Sequence, residues 1–409
     1  MVSRFGISYV TLHPKLGRSD LESSARYYLD HAATSWPKPP GSLEACIDFQ
    51  INNGASSGRG VYHSAEASSR LVLTARQAVA RLIHAPSERH IAFCNNGTHA
   101  LNAAILGLLH SPTLRGCHVV TTATEHNSVL RPLELAHQTN GTTWTAVPCD
   151  DTGMVDPNRI LEAMTPGTRL VVVNHASNVT GAIQDIRTLA GIAKSKNAIF
   201  VVDAAQSLGY LPIDVLECGI QILAAPGHKG AGGMLGTGIL YVDEHVQHLI
   251  EPIWIGGTGS QSDSIAGPFD WLSAVESGNG NLPGIASLKA GIEWLEKRPL
   301  SAQTDRWALQ MIEAILEEPS LKLIGPLENR LPVISLIHPT SSCHEMAMIL
   351  DSACHVEARS GFHCAALIHE FLGTQTAGGT LRLSLGHTTV EADVEAAIEG
   401  IHMLGSLHP

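Results

Sequence analysis

In Ile199-Phe200-Val201-Val202-Asp203-Ala204-Ala205-Gln206, the apolar run Ile199 to Asp203 ends on a carboxylate. It does not alternate polar with apolar residues, so a strand built from it is covered on both faces, as in a parallel sheet. Runs of the same kind recur at Ile91-Ala92-Phe93, Cys117-His118-Val119-Val120-Thr121, Leu170-Val171-Val172-Val173-Asn174 and Gly238-Ile239-Leu240-Tyr241-Val242. Between them, Glu66 to His84 and Leu101 to Leu109 repeat apolar residues at helical spacing. The alternation from about Tyr28 to Val242 predicts an α/β domain with a mainly parallel sheet and right-handed crossovers.

At 409 residues and 44% hydrophobic content, the chain can bury a core divided between two domains. Gly278, Gly280, Pro283 and Gly284 interrupt the pattern and place a boundary between Glu276 and Gly284. Pro283 is suited to open a helix running through Ile285 to Leu295, and the segment after about Leu321 reads as a smaller α+β unit. A net charge of -12 argues against nucleic acid or an anionic membrane as partner. No apolar run reaches membrane-spanning length, and Met1 to Tyr27 lacks the apolar core of a signal peptide, so a cytoplasmic location is expected. The eight cysteines form no C-x-x-C pair and are scattered through apolar segments, which suits a reducing compartment and no metal site.

Lys229, in Ala225-Pro226-Gly227-His228-Lys229-Gly230, is one of eight lysines and the only one in a Gly-rich turn. A strand-end carboxylate such as Asp203 and a loop lysine are what pyridoxal phosphate asks of a protein: one keeps the ring nitrogen protonated, the other forms the Schiff base. The alternative is a surface lysine in an ordinary loop. Asn95-Asn96-Gly97-Thr98-His99 follows a short strand and opens a helix, so Gly97 and Thr98 suit a phosphate cup, unless Thr98 merely caps its helix. His126, in Thr124-Glu125-His126-Asn127-Ser128, could lie over a cofactor ring and move protons, or be a structural histidine. Arg359-Ser360-Gly361-Phe362-His363-Cys364-Ala365 sets a thiol beside cations that favour the thiolate, against the reading of a buried structural cysteine. Arg382, in Thr380-Leu381-Arg382-Leu383-Ser384, needs a partner: a substrate carboxylate or a structural Asp or Glu.

In order along the chain, these segments resemble the cysteine desulfurases of the class V aminotransferase family. Tyr28-Leu29-Asp30-His31-Ala32-Ala33-Thr34-Ser35, Gly58-Arg59-Gly60-Val61-Tyr62-His63, Ser177-Asn178-Val179-Thr180-Gly181 and Gly256-Gly257-Thr258-Gly259-Ser260 extend the resemblance, and the context of Cys364 is similar to the group II, SufS-like branch. The resemblance implies a fold-type I pyridoxal-phosphate enzyme, with a large domain on a seven-stranded, mainly parallel sheet and a smaller α+β domain. It divides the chain into an N-terminal segment packed on the small domain (1–27), a large domain (28–282) and a small domain (283–409). Lys229 would be the Schiff-base lysine, Asp203 the ring-nitrogen partner and His126 the residue stacked on the ring. Gln206 and Asn178 would flank the phenolate oxygen and substrate, and Gly97, Thr98, His228 and Asn279 would serve the phosphate, the last across a homodimer interface. Arg382 and Arg359 would hold the substrate, and Cys364 would take sulfur from L-cysteine as a persulfide and pass it to an acceptor protein or a small thiol.

Four positions depart from the family pattern: Pro226 replaces a Ser or Thr, Asn279 a Thr, His99 a Glu, and Ala366 a Pro. A positive imidazole at His99 would compensate at the phosphate. Selenocysteine lyase, another carbon–sulfur lyase or aminotransferase on the same scaffold, and a non-catalytic scaffold are the competing functions. The Cys364 context favours sulfur.

Overall fold

The computed structural model describes residues 26–58, 60–258, 265, 270–298 and 302–407. Residues 1–25 of the expected N-terminal segment, and Arg59, Gly259 and Ser260 of the motifs above, lie outside them. Among the described residues, the first element is a two-residue strand, β1 (Tyr27–Tyr28). The large sheet follows, from β2 (Ile91–Cys94), β3 (His118–Thr122), β4 (Thr143–Val147), β5 (Thr168–Asn174), β6 (Ile199–Asp203), β7 (Ile222–Pro226) and β8 (Gly238–Val242). Its order is β2-β8-β7-β6-β5-β3-β4. Only β8 runs against the others, pairing antiparallel with β2 and β7.

Burial divides each central strand by side-chain alternation. Phe200, Val202, Val171 and Val173 join the core on one face, and Ile199, Val201, Leu170 and Val172 that on the other. Helices 63–82 and 186–195 cover the first face, and helices 97–110 and 127–140 cover the second. Register sets Asn174 beside Asp203, and Asp203 beside Ala224. The carboxyl ends of β2, β3, β5, β6 and β7 therefore share one edge, where ligands of open parallel sheets bind.

A second, four-stranded sheet is antiparallel: β9 (Lys322–Ile324), β10 (Val333–Ile337), β12 (Arg359–Gly361) and β13 (Thr380–Ser384), with the short β11 (Val356–Glu357) pairing β1. Helices 302–317, 343–354 and 391–405 pack on it around a separate core. Two expectations about boundaries need adjusting. The helix Leu282–Glu296 shares the large-sheet core through Leu282, Ile285, Leu288 and Ile292, and Ile324, Ala365, Ile368 and Leu372 of the later segment join it too, so no single position divides the two cores. Pro283 does start the helix, but its apolar stripe faces helices 42–52 and 63–82. At the other end, Leu29 belongs to the small-domain core, so that association extends past residue 27.

Candidate active site

Lys229, Asp203, His126, Gly97, Thr98, Asn178, Gln206, His228, Arg359 and Arg382 all line one cavity at the carboxyl edge of the large sheet. Most reach it by a short path from a strand end. Asp203 closes β6, and Lys229 lies three residues past the end of β7. Gly97 and Thr98 start the helix after β2, and Arg359 and Arg382 come in from β12 and β13.

Thr98 is not the helix cap. Asn96 caps instead, its side chain accepting from the His99 N–H at 2.8 Å. Thr98 Oγ1 is thereby free to meet Ser128 Oγ at 2.8 Å. Pro226 packs against this turn, so that a Cβ on Gly97 would stand 3.0 Å from the Pro226 ring. His99 does not supply the positive charge expected of it. Its Nδ1 accepts from the Asn95 N–H at 3.2 Å, and burial lowers its pKa, so the ring is neutral.

Burial lifts Asp203 to about 6, against the Ala205 N–H and the charge of Lys229. Burial lowers Lys229 to about 8, with Arg382 and Arg359 adding to the shift and Asp203 opposing it. His126 is lowered to about 4, by burial first and then by Lys229, Arg359, Arg131 and Arg382. His228 falls to about 4 from burial, Lys229 and Lys38, and its Nδ1 lies 3.0 Å from Thr34 Oγ1. Gln206 is fixed by donating to the Ala32 carbonyl at 3.1 Å.

Arg382 has a structural carboxylate as its partner. It donates to Asp30 Oδ1 at 2.6 Å and to the Asn178 carbonyl at 2.9 Å, while its Nε has no partner among the described residues. Asp30 was missed as a site residue because 352 positions separate it from Arg382. Ser128 was missed too, although it stands two residues after His126. Asn279 is exposed and does not line this cavity.

Cys364 is exposed, outside the cavity lining, with Arg359 Nη2 3.6 Å from its Sγ. The structure thus excludes the buried structural cysteine. Its backbone is left-handed, φ 58°, as is that of His363 at φ 49°. The carbonyls this conformation turns outward are both caught by the large domain: His363 O accepts from Asn178 Nδ2 at 2.6 Å, and Cys364 O from the Asn127 N–H at 2.7 Å.

The lining fits pyridoxal phosphate. A helix N-terminus with a hydroxyl suits the phosphate, a buried carboxylate suits a protonated ring nitrogen, and an amine of lowered pKa suits its aldehyde.

Similarity to known proteins agrees with this geometry. A probable cysteine desulfurase of Methanothermobacter thermautotrophicus is 31% identical over 93% of this chain and 95% of its own. One from Pyrococcus abyssi is 33% identical over 87% of this chain and 88% of its own. The apo structure of cysteine desulfurase from Thermococcus onnurineus superposes with a TM-score of 0.85 at 32% identity, covering 93% of this chain and 94% of that one. The aminotransferase class-V family model matches residues 27–397, and the chain belongs to that family.

Proposed function

We propose that this protein is a pyridoxal-phosphate-dependent cysteine desulfurase that converts L-cysteine to L-alanine and keeps the sulfur as a persulfide on Cys364. The observation that carries this reading is an exposed thiol beside Arg359, next to a cavity that holds Lys229 and Asp203. When bound, pyridoxal phosphate supplies an electron-withdrawing ring that lets bonds near the substrate α-carbon break. Thr98, His228 and the helix N-terminus at Gly97 would hold its phosphate, Asp203 its ring nitrogen, and Gln206 and Asn178 its phenolate side.

The protein's own residues then divide the work. Arg359 and the free edge of Arg382 orient the substrate carboxylate. Lys229, an amine of pKa about 8, takes and returns the proton at the α-carbon. The Cys364 sulfur attacks the substrate sulfur, so an S–S bond forms as the carbon–sulfur bond breaks. The bonding pair stays with carbon, which takes up a proton and leaves as alanine. A thiol or acceptor protein takes the sulfur from the surface. Helix 42–52 exposes Leu43, Ile47 and Ile51, with Val61 and Tyr62 further along the chain, and these support a homodimer.

Alanine release from L-cysteine, with excess thiol and pyridoxal phosphate, tests the reading. Wild type should release alanine, and Cys364→Ser should lose at least roughly a hundredfold. Equal release by both would refute the persulfide step, and release by neither would move the reaction to selenocysteine or another substrate. Lys229→Ala should bind the cofactor without the Schiff-base absorbance.

A further inference from the structure

His126 is the N-cap of the helix Asn127–Asn140, and it caps through its ring. Nδ1 accepts the backbone N–H of Ser128 at 3.0 Å, and a backbone N–H can only donate. Nδ1 is therefore bare, and the proton of the neutral ring sits on Nε2. Ser128 Oγ lies 2.9 Å from the same nitrogen and 2.8 Å from Thr98 Oγ1. A bare Nδ1 cannot donate, so in its bond to the ring the Ser128 hydroxyl is the donor.

The ring thus has one basic nitrogen, already occupied by two donors. Protonating it would break the cap and turn a proton against the Ser128 N–H. The surrounding charges press the same way. Lys229 from the loop after β7, Arg359 on β12, Arg131 on the capped helix and Arg382 on β13 act on the ring as cations, while the Asp203 carboxyl at the end of β6 lines the same cavity.

We infer that His126 acts as a fixed hydrogen-bond donor through Nε2 and not as a proton carrier, with Ser128 as the positioning residue that sets its tautomer. This rests on the desulfurase reading only for what Nε2 donates to. The tautomer belongs to the chain itself. Proton transfer in the site then falls to Lys229.

Ring-nitrogen NMR of isotope-labelled histidine in the full chain without cofactor tests this directly. The His126 signals are assigned by their loss in His126→Asn, since asparagine can still cap the helix. The expected spectrum shows a bare Nδ1 and a protonated Nε2, unchanged between about pH 8 and 6. A proton on Nδ1, or a doubly protonated ring in that range, overturns the inference even if alanine release is normal. In the cofactor-loaded enzyme, the pH profiles of alanine release for wild type and His126→Asn should share their shape while differing in height. A limb near neutral pH that vanishes with the histidine would also overturn it. Absence of alanine release from wild type, with the expected spectrum, would refute the desulfurase reading and leave the tautomer standing.

Discussion

Arg382 is 1% exposed, and Asp30 is the carboxylate that neutralises it. Asp30→Ala should leave a buried cation unpaired and cost about 3 kcal/mol in urea unfolding. The same change should raise KM for L-cysteine more than it lowers kcat, because a guanidinium no longer held on one side presents its free edge poorly. Unchanged stability would mean that solvent reaches Arg382. Sequence reasoning reached the correct pair of alternatives for this arginine but could not choose between them. Nothing local marks Asp30, whereas Lys229 and Asp203 are each announced by their own strand end. A residue was legible when its chemistry was written next to it, and hidden when its partner arrived through the fold.

Elements show the same division. β6 and β8 match their expected bounds because each is a pure apolar run between turn signals. β4 was missed because it lies at the sheet edge, where Thr143 and Thr145 are exposed and leave little apolar signal. β7 was missed because its end, Ala225-Pro226, was read as part of the lysine loop. The helix 127–140 starts on an imidazole cap. His126→Ala should remove its side-chain cap and destabilise the protein by about 1 kcal/mol, and His126→Asn should recover most of that loss in thermal melting. A second prediction concerns the close approach of β12 and β13. Gly379 has φ 104°, and a Cβ there would collide with the Gly361 carbonyl. Gly379→Ala should displace the strand leading to Cys364, so alkylation of that thiol should change rate while the Lys229 absorbance persists.

At the scale of the molecule, acid should weaken the fold. His31, His126, His175, His228, His363 and His387 are held by burial to between about 2 and about 4. The unfolded chain binds their protons near its ordinary histidine value, so their stabilisation is complete above about pH 6.5 and is lost as pH falls toward their folded values. Glu125 and Asp203 oppose this. Burial raises them to about 8 and about 6, so the folded state takes up a proton on each as pH falls. The lowered histidines outnumber these two raised carboxylates, so the balance of protons favours the unfolded chain. The urea midpoint should therefore drop steadily from about pH 6.5 to 4.5, and a flat profile would contradict the burial of these rings. The two carbonyls of the cysteine turn are anchored to Asn178 and Asn127, beside the large sheet, yet Cys364 itself stays exposed. Cargo can then be collected at the doorstep, with the interior left shut. Any oxidant in the solvent has the same access as the rightful recipient, so this thiol should be the first of the eight cysteines to be damaged when recipients run short.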